Sequence, residues 1–267
     1  MKKYHLSLIF LLLALMLQAT NVDRQKRDVG NFTSIRSSTS IDIIVEQTGH
    51  YSLEVNAPAR YMENIITEVE NGELHVFTRK SMNYIGKMVI YVQVKNLKKV
   101  SLSGSGDFKT KGELKAPDFS FRVTGSGDFE AELNSKVVTG SVNGSGDAVI
   151  SGITESLDLK QSGSGDIIAN KLHLLTAKLR MNGSGDSRFV GSTDNFELSQ
   201  SGSGDFSGRE FEIEKAKIRK SSSGDARVIV LKSIDINISG SGDLYYSGRP
   251  EFKNITVTGS GDIVRIK

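Results

Sequence analysis

The chain of 267 residues contains no cysteine, no tryptophan and only three prolines. Without cysteine it can form no disulfide framework and carry no lipid anchor attached through a cysteine, so its stability has to come from packing and backbone pairing. The few prolines, together with 27 glycines, fit neither a proline-rich linker protein nor a helical bundle. These absences leave a glycine-rich fold that is held together by noncovalent contacts.

A strong excess of one charge is absent as well. The chain has 34 lysines and arginines against 31 acidic residues, a formal net charge of +3, and its basic residues are spread along the sequence. A phosphate-binding surface needs clustered positive charge. We therefore expect no nucleic-acid partner and interpret the surface as weakly cationic.

Long hydrophobic runs are absent after the first twenty residues. Two lysines at positions 2 and 3 precede an apolar run from Leu6 to Leu17, and the small residue Ala19 comes after it. This order is typical of a signal peptide, which we place at residues 1–19, whereas an uncleaved membrane anchor would need a run of about 20 residues. We expect an exported protein without an integral membrane span after cleavage, located in the periplasm, on the outer cell surface or outside the cell.

The first part of the mature chain is strand-like but not repetitive. After a polar linker at residues 20–28, residues 29–99 contain several alternating or apolar segments. In "IITEVENGELHVFT" the alternation flanks Asn71 and Gly72, which predicts a β-hairpin with a type I′ turn. We interpret residues 29–99 as an antiparallel or mixed β region that caps the remainder of the chain.

From residue 100 to residue 267 the chain is periodic. The tetrapeptide GSGD, or SSGD in one copy, occurs nine times, and the aspartates of successive copies are 18 to 21 residues apart. A fixed period near twenty residues is the signature of a solenoid, in which each repeat buries its apolar face against its neighbours. We predict an all-β fold, a β-solenoid in the form of a right-handed parallel β-helix, with about nine coils of about 20 residues.

Each repeat alternates apolar and polar residues before the motif, as a strand with one buried face does. Continued through the motif, this alternation turns both glycines inward and the serine and aspartate outward. Inward glycines suit a corner where backbone crowds backbone and no Cβ fits. The glycines that we assign to structural turns on this basis are Gly125, Gly127, Gly144, Gly146, Gly163 and Gly165.

Polar residues occupy one inward position in the later repeats. Gln161, Gln200 and Lys220 stand where earlier copies have leucine or valine. We interpret this stretch as a wetter or shallower part of the core and expect the amine of Lys220 to reach solvent, as long cationic side chains often do.

The motif aspartates would stack into a column along one edge of the solenoid. Each carboxylate could accept backbone N–H groups within its own turn, or pairs of coils could hold Ca²⁺ between them. Calcium requires six to eight oxygens, which one aspartate per coil does not readily supply, so the structural interpretation is favoured. The calcium candidates are Asp107, Asp128, Asp147, Asp166, Asp186, Asp205, Asp225, Asp243 and Asp262.

Residues for catalysis are scarce. His50, His75 and His173 are isolated from one another, and the sequence has neither an HExxH motif nor a nucleophile elbow. We predict no catalytic residues, no enzyme activity and no cofactor other than the calcium considered above.

At the level of whole blocks, the sequence resembles a known family. The block "RDVGNFTSIRSSTSIDIIVEQTGHYSLEV", then "VKNLKKVSLSGSGDF" and the serial GSGD copies resemble the putative auto-transporter adhesin family, head GIN domain, whose members are exported bacterial proteins. The resemblance implies a β-helical fold, a cell-envelope or secreted location and an adhesin-like role, and it brings no catalytic residues.

Three functions remain open from the sequence. The leading hypothesis is a non-enzymatic exported module that binds a glycan or an envelope or host protein along its flat faces. The alternatives are a structural, self-associating envelope scaffold and a carbohydrate-active β-helix enzyme. The enzyme hypothesis requires convergent carboxylates in a groove, and it fails if Asp128, Asp147 and Asp166 are all engaged in turn hydrogen bonds.

Overall fold

The structure, a computed structural model, describes residues 22–82 and 86–267, so the predicted signal peptide at residues 1–19 lies outside the described residues. Across the described ranges, no helix is long and apolar enough to span a membrane. The first elements are β1 (Val22–Arg27), β2 (Ser34–Ser37), β3 (Asp42–Gln47), β4 (Ser52–Pro58), the one-turn helix α1 (Ala59–Met62), β5 (Ile65–Glu70), β6 (Glu73–Thr78) and β7 (Val89–Val94).

The periodic part consists of parallel strands, six of which are 13 to 15 residues long. Its elements are β8 (Lys99–Leu102), β9 (Phe108–Thr110), β10 (Leu114–Lys115), β11 (Asp118–Val123), β12 (Phe129–Val142), β13 (Ala148–Gln161), β14 (Ile167–Met181), β15 (Ser187–Gln200), β16 (Phe206–Lys220), β17 (Ala226–Ile238), β18 (Leu244–Gly248), β19 (Glu251–Val257) and β20 (Ile263–Arg265).

Each GSGD motif forms a corner between consecutive strands. In the long strand after each motif, the register of pairing with the neighbouring strand shifts near the middle. The first halves of successive strands therefore form one ladder, and the second halves form another. Successive coils are parallel, and the inward side chains of both ladders fill one continuous core. The predicted all-β solenoid of about nine coils is confirmed.

The bend inside the long strands forms a second corner. There the backbone adopts positive φ at Gly152 (81°), Gly191 (133°) and Lys171 (52°). Glycine enters this left-handed region without steric cost, which explains its recurrence at the bend. These glycines are a weaker periodic signal that the GSGD alignment leaves out.

The N-terminal region is joined to the solenoid by strand pairing. Its β5–β6 hairpin is antiparallel, with positive φ at Asn71 (49°) and Gly72 (76°), which confirms the predicted hairpin turn. Strands β2 and β3 lie between β6 and β7 on one side and β8 and β9 on the other, parallel to all four. Both ladders of the solenoid therefore extend into the N-terminal region, without a break in strand pairing at residue 99.

The prediction of a polar linker at residues 20–28 is wrong for residues 22–27, which form β1. This strand pairs antiparallel with β4, and an edge strand needs only backbone partners, so its side chains can all be polar. Arg27 also anchors its end, because the guanidinium donates to the carbonyl oxygens of Ile65 (2.6 Å) and Met62 (2.8 Å).

The expectation that the amine of Lys220 reaches solvent is also wrong. Lys220 is only 2% exposed, and its Nζ donates to Ser222 Oγ at 2.9 Å and to the carbonyl of Gly224. Burial lowers the pKa of this amine. Gln161 and Gln200 are buried in the same way and donate to the carbonyls of Gly165 and Gly204. In each of these three coils, a buried side-chain donor therefore satisfies the backbone carbonyl of the second motif glycine.

Candidate functional site

The motif glycines lie where neighbouring coils touch. A Cβ on Gly144 would come within 1.8 Å of the carbonyl oxygen of Gly125, and a Cβ on Gly146 within 2.0 Å of that of Gly127. The crowding is therefore between the backbones of successive coils, along the axis of the solenoid. The serine between the glycines is exposed, and the aspartate after them is exposed in six copies and half-buried at Asp205, Asp225 and Asp243.

The aspartates form a hydrogen-bonded ladder from coil to coil. The Oδ1 atom of Asp147 accepts the backbone N–H of Asp166 at 2.8 Å, and Asp166 in turn accepts the N–H of Asp186 at 2.7 Å. The same bond joins every successive pair of the nine aspartates. The acceptors thus serve the next coil, whereas the sequence interpretation placed these bonds within one turn.

The ladder begins one coil earlier than the GSGD copies indicate. The N–H of Asp107 bonds to Asp42 Oδ1 at 3.2 Å, and the segment 39–42, "TSID", occupies the motif position in its coil. Gly104 stacks on Thr39 and Gly106 on Ile41. In the sequence, "TSID" keeps the serine and aspartate of the motif at the same spacing, but it lacks both glycines and so is not recognised as a copy of GSGD.

The aspartates are spread one per coil along an exposed corner and do not converge. Among residues 22–82 and 86–267, no group of three or more acidic or histidine residues could hold a metal ion. Asp128, Asp147 and Asp166 each use one oxygen in the ladder. The convergent carboxylates that the enzyme hypothesis requires are not found at this corner, and calcium binding by the column stays a prediction.

Near the C-terminal end the ladder acquires an aromatic partner. Asp243 accepts the N–H of Asp262 at 2.9 Å and the hydroxyl of Tyr245 at 3.0 Å. The backbone bond and then the tyrosine bond lower the pKa of Asp243, and the same carboxylate raises the pKa of Tyr245. The Arg227 guanidinium lies 4.7 Å from the centre of the Tyr245 ring.

The ladder predicts different effects for two substitutions of Asp166. Asp166→Ala removes the acceptor of the Asp186 N–H and is expected to lower the free energy of unfolding by about 1–2 kcal/mol. Asp166→Asn keeps Oδ1 and is expected to change it by less than about 0.5 kcal/mol. Urea unfolding with and without calcium chloride measures both, and a calcium-dependent stabilisation of the natural protein that Asp166→Asn abolishes would contradict a purely structural role.

A groove at the N-terminal end of the solenoid has an apolar floor. It has a volume of about 860 Å³ and lies on the outer face of β4, β7, β3 and β9. Its floor contains Ile44 and Tyr91, which are paired across β3 and β7. Tyr91 is 42% exposed. We call this feature the Tyr91 groove.

The rim of the Tyr91 groove carries charges of both signs. Segment 26–29 lies along one side, where Lys26 pairs in register with Glu54. On the other side Lys111 lies 3.3 Å from Glu46, and Lys109 bonds to Glu130 at 2.7 Å. Exposed ion pairs of this kind contribute little to stability and can exchange partners, so they are available to a ligand.

Sequence reasoning missed this groove because its residues come from five separate segments of the chain. Tyr91, an aromatic residue at an outward position of its strand, is only a weak signal in the sequence, because single exposed apolar residues are normal on protein surfaces. The nine aspartates, by contrast, were found from sequence but lie in the ladder and away from the groove.

Comparison with known proteins identifies related sequences and structures. The model of the family described as putative auto-transporter adhesin, head GIN domain, matches residues 31–190 and 175–250. No curated protein matches the chain.

Several solved structures share the fold along nearly the whole chain. A putative adhesin from Parabacteroides distasonis is 20% identical with a TM-score of 0.69, and a putative adhesin from Parabacteroides merdae is 18% identical with a TM-score of 0.65. A putative lipid binding protein from Parabacteroides distasonis is 26% identical with a TM-score of 0.66. Each comparison covers 93% of this chain and 98% of the other.

Proposed function

We propose that this chain, which belongs to the putative auto-transporter adhesin family, head GIN domain, is an exported, non-enzymatic binding module of the cell envelope whose Tyr91 groove holds a lipid-like amphiphile. The observation that carries the proposal is the groove itself. An apolar floor with an exposed tyrosine is open to solvent and is surrounded by charged side chains.

The chemistry of the groove selects the class of ligand. Ile44 and Tyr91 offer an apolar surface for an acyl chain, and a volume of about 860 Å³ is within the usual range for small-molecule sites. On the rim Lys111 forms an ion pair with Glu46, and Lys26 lies opposite Glu54 in the strand register, which suits a headgroup that carries both a phosphate and an amine. The name of the 26% identical relative, a putative lipid binding protein, supports the same class of ligand.

A glycan or protein partner, the ligand class expected from the sequence, would use the flat faces instead. Those faces carry exposed charges and hydroxyls in regular columns, and their shallow depressions within the described residues lack an apolar floor of comparable size. Lipid binding is therefore the version of the adhesin-like role that the geometry supports best.

Substitution of Tyr91 tests the proposal. Binding of a fluorescent zwitterionic lysophospholipid, measured by fluorescence anisotropy, is expected to weaken at least about tenfold in Tyr91→Ser, because the largest apolar surface of the floor is lost. Leu231→Ser is the matched control, since Leu231 is 43% exposed and lies outside the groove.

The outcomes separate the hypotheses. Binding by the natural protein that Leu231→Ser retains and Tyr91→Ser loses supports the groove. The proposal fails if the natural protein does not bind the probe, or if both variants bind equally well. Binding to a glycan array that is unchanged in Tyr91→Ser would favour the flat faces.

A further inference from the structure

The last coil of the solenoid exposes residues that belong to the core. In the register of the ladder, Phe252 pairs with Ile234, Ile255 with Ile236 and Val257 with Ile238. The three isoleucines are at most 1% exposed, whereas Phe252, Ile255 and Val257 are 37%, 53% and 43% exposed. All three residues continue inward positions of the core, with one shift of register after Phe252, so the difference arises because nothing among the described residues covers the last coil.

The backbone of the last coil is also unpaired on its outer side. Within residues 22–82 and 86–267, β19 pairs only with β17 and β20 only with β18. A seven-residue edge of N–H and C=O groups beside apolar side chains is a template for a further strand. Lys253 and Glu251 are the charged residues within β19, and they form an ion pair with each other at 2.6 Å.

The opposite end of the solenoid is closed. There β1 and β5 add antiparallel to β4 and β6, and α1 packs beside them. The core residues beneath, such as Leu53 and Ile65, are 1% exposed. The outer strand β1 carries Asp23, Arg24 and Lys26, and charged side chains of this kind discourage further strand pairing.

We propose that the C-terminal coil, residues 251–265, is a dimerisation surface that is occupied by the same coil of a second copy. Each interior coil of the solenoid is covered on both sides by a coil of similar outline, so the surface that best fits the uncovered coil is another coil. At the N-terminal end the described elements β1, β5 and α1 cover the core instead, so a two-fold, tail-to-tail contact is favoured over a head-to-tail chain.

The symmetry of this contact agrees with the chemistry of the edge. A two-fold axis perpendicular to the solenoid reverses the chain direction, so the edge of one copy meets the edge of the other antiparallel, which gives regular backbone hydrogen bonds. The edge carries one acidic and one basic residue, so two identical edges do not oppose only like charges. The contact also covers Phe252, Ile255 and Val257 in both copies.

The dimer has a consequence for ligand binding, which rests on the proposed function. The Tyr91 groove is at the N-terminal end of the chain, so a tail-to-tail dimer places two grooves at opposite ends of a rod. With about ten coils in each copy and about 4.8 Å between coils, the grooves are on the order of 100 Å apart. Such a particle bridges two surfaces, as an adhesin-like protein requires.

Analytical ultracentrifugation of the purified protein over roughly 1 to 200 μM tests the dimer. We expect the natural protein to sediment as two chains and Ile255→Lys to sediment as one, with a dissociation constant raised at least about 100-fold. Val22→Lys is the matched control, because Val22 is 44% exposed at the closed end, and it is expected to remain dimeric. Circular dichroism checks that each variant is folded.

The results distinguish this inference from the lipid proposal. A natural protein that stays a single chain at the highest concentration overturns the dimer, and so does a dimer that persists in Ile255→Lys or is lost only in Val22→Lys. Lysophospholipid binding, measured on the same samples, is expected to be unchanged in Ile255→Lys. A failure of lipid binding therefore leaves the ultracentrifugation result intact.

Discussion

Gly146→Ala is expected to lower the free energy of unfolding by at least about 3 kcal/mol. The new Cβ would come within 2.0 Å of the carbonyl oxygen of Gly127 and 2.7 Å of its carbonyl carbon. These atoms belong to the backbone of the preceding coil and cannot rotate away. The coils are also joined at the corner by a 3.1 Å bond from the Ser145 N–H to the carbonyl of Gly125, so separating them would break hydrogen bonds as well.

Gly30→Ala is the control for this prediction. No heavy atom lies within 4 Å of a Cβ on Gly30, so the same substitution is expected to be neutral or to stabilise by up to about 1 kcal/mol, because it restricts the unfolded chain. Chemical denaturation of both variants measures the difference. Equal stability of Gly146→Ala and the natural protein would show that the coils can separate at the corner at little cost.

Phe129→Ala is expected to lower the free energy of unfolding by about 3–5 kcal/mol. Phe129 is 1% exposed, and its ring stacks on Phe121 at 4.5 Å and on Phe108 at 5.0 Å between ring centres. The substitution removes a whole ring from the middle of this stack and leaves a cavity that the strands cannot close. The lost aromatic pairs add about 0.5–1.5 kcal/mol each to the transfer cost.

The same chemical change at the open end is the control. Phe252 is 37% exposed in the last coil, so Phe252→Ala in a monomeric sample is expected to cost less than about 1 kcal/mol. Thermal or urea unfolding of both variants gives the comparison. A small effect of Phe129→Ala would mean that the stack relaxes into the space and that the ring contributes little to the core.

Gly140 is an exception to the alternation of the sequence, and only the structure explains it. It occupies an inward position where most repeats have an apolar side chain, and the sequence offers no reason for the exception. In the structure a Cβ on Gly140 would lie 2.3 Å from the ring of Phe121, so glycine leaves space for the ring that stacks on Phe129. The reason is a contact between coils, which one repeat alone cannot reveal.

Two of the expectations that the structure corrects have a common cause. Residues 22–27 were assigned to a linker because they are polar, and Lys220 was expected to reach solvent because it is charged. In both cases tertiary partners outweigh the local preference: β4 pairs with β1 along its length, and Ser222 and Gly224 hold the amine of Lys220 inside the coil. Such partners are distant in sequence or depend on the path of the backbone through a corner.

The sequence by itself determined the fold class, the approximate number of coils and the outward position of the motif aspartates, because a 20-residue period and strict alternation allow few other arrangements. Only the tertiary structure decided that "TSID" begins the aspartate ladder, that the backbone which crowds each motif glycine belongs to the preceding coil, and that the described elements cover one end of the core and leave the other uncovered. It also decided where a ligand could bind, because the Tyr91 groove forms when β4, β7, β3 and β9 come together from separate parts of the chain. Local sequence records the periodicity of a solenoid, whereas its ends and grooves depend on which coils are left without a neighbour.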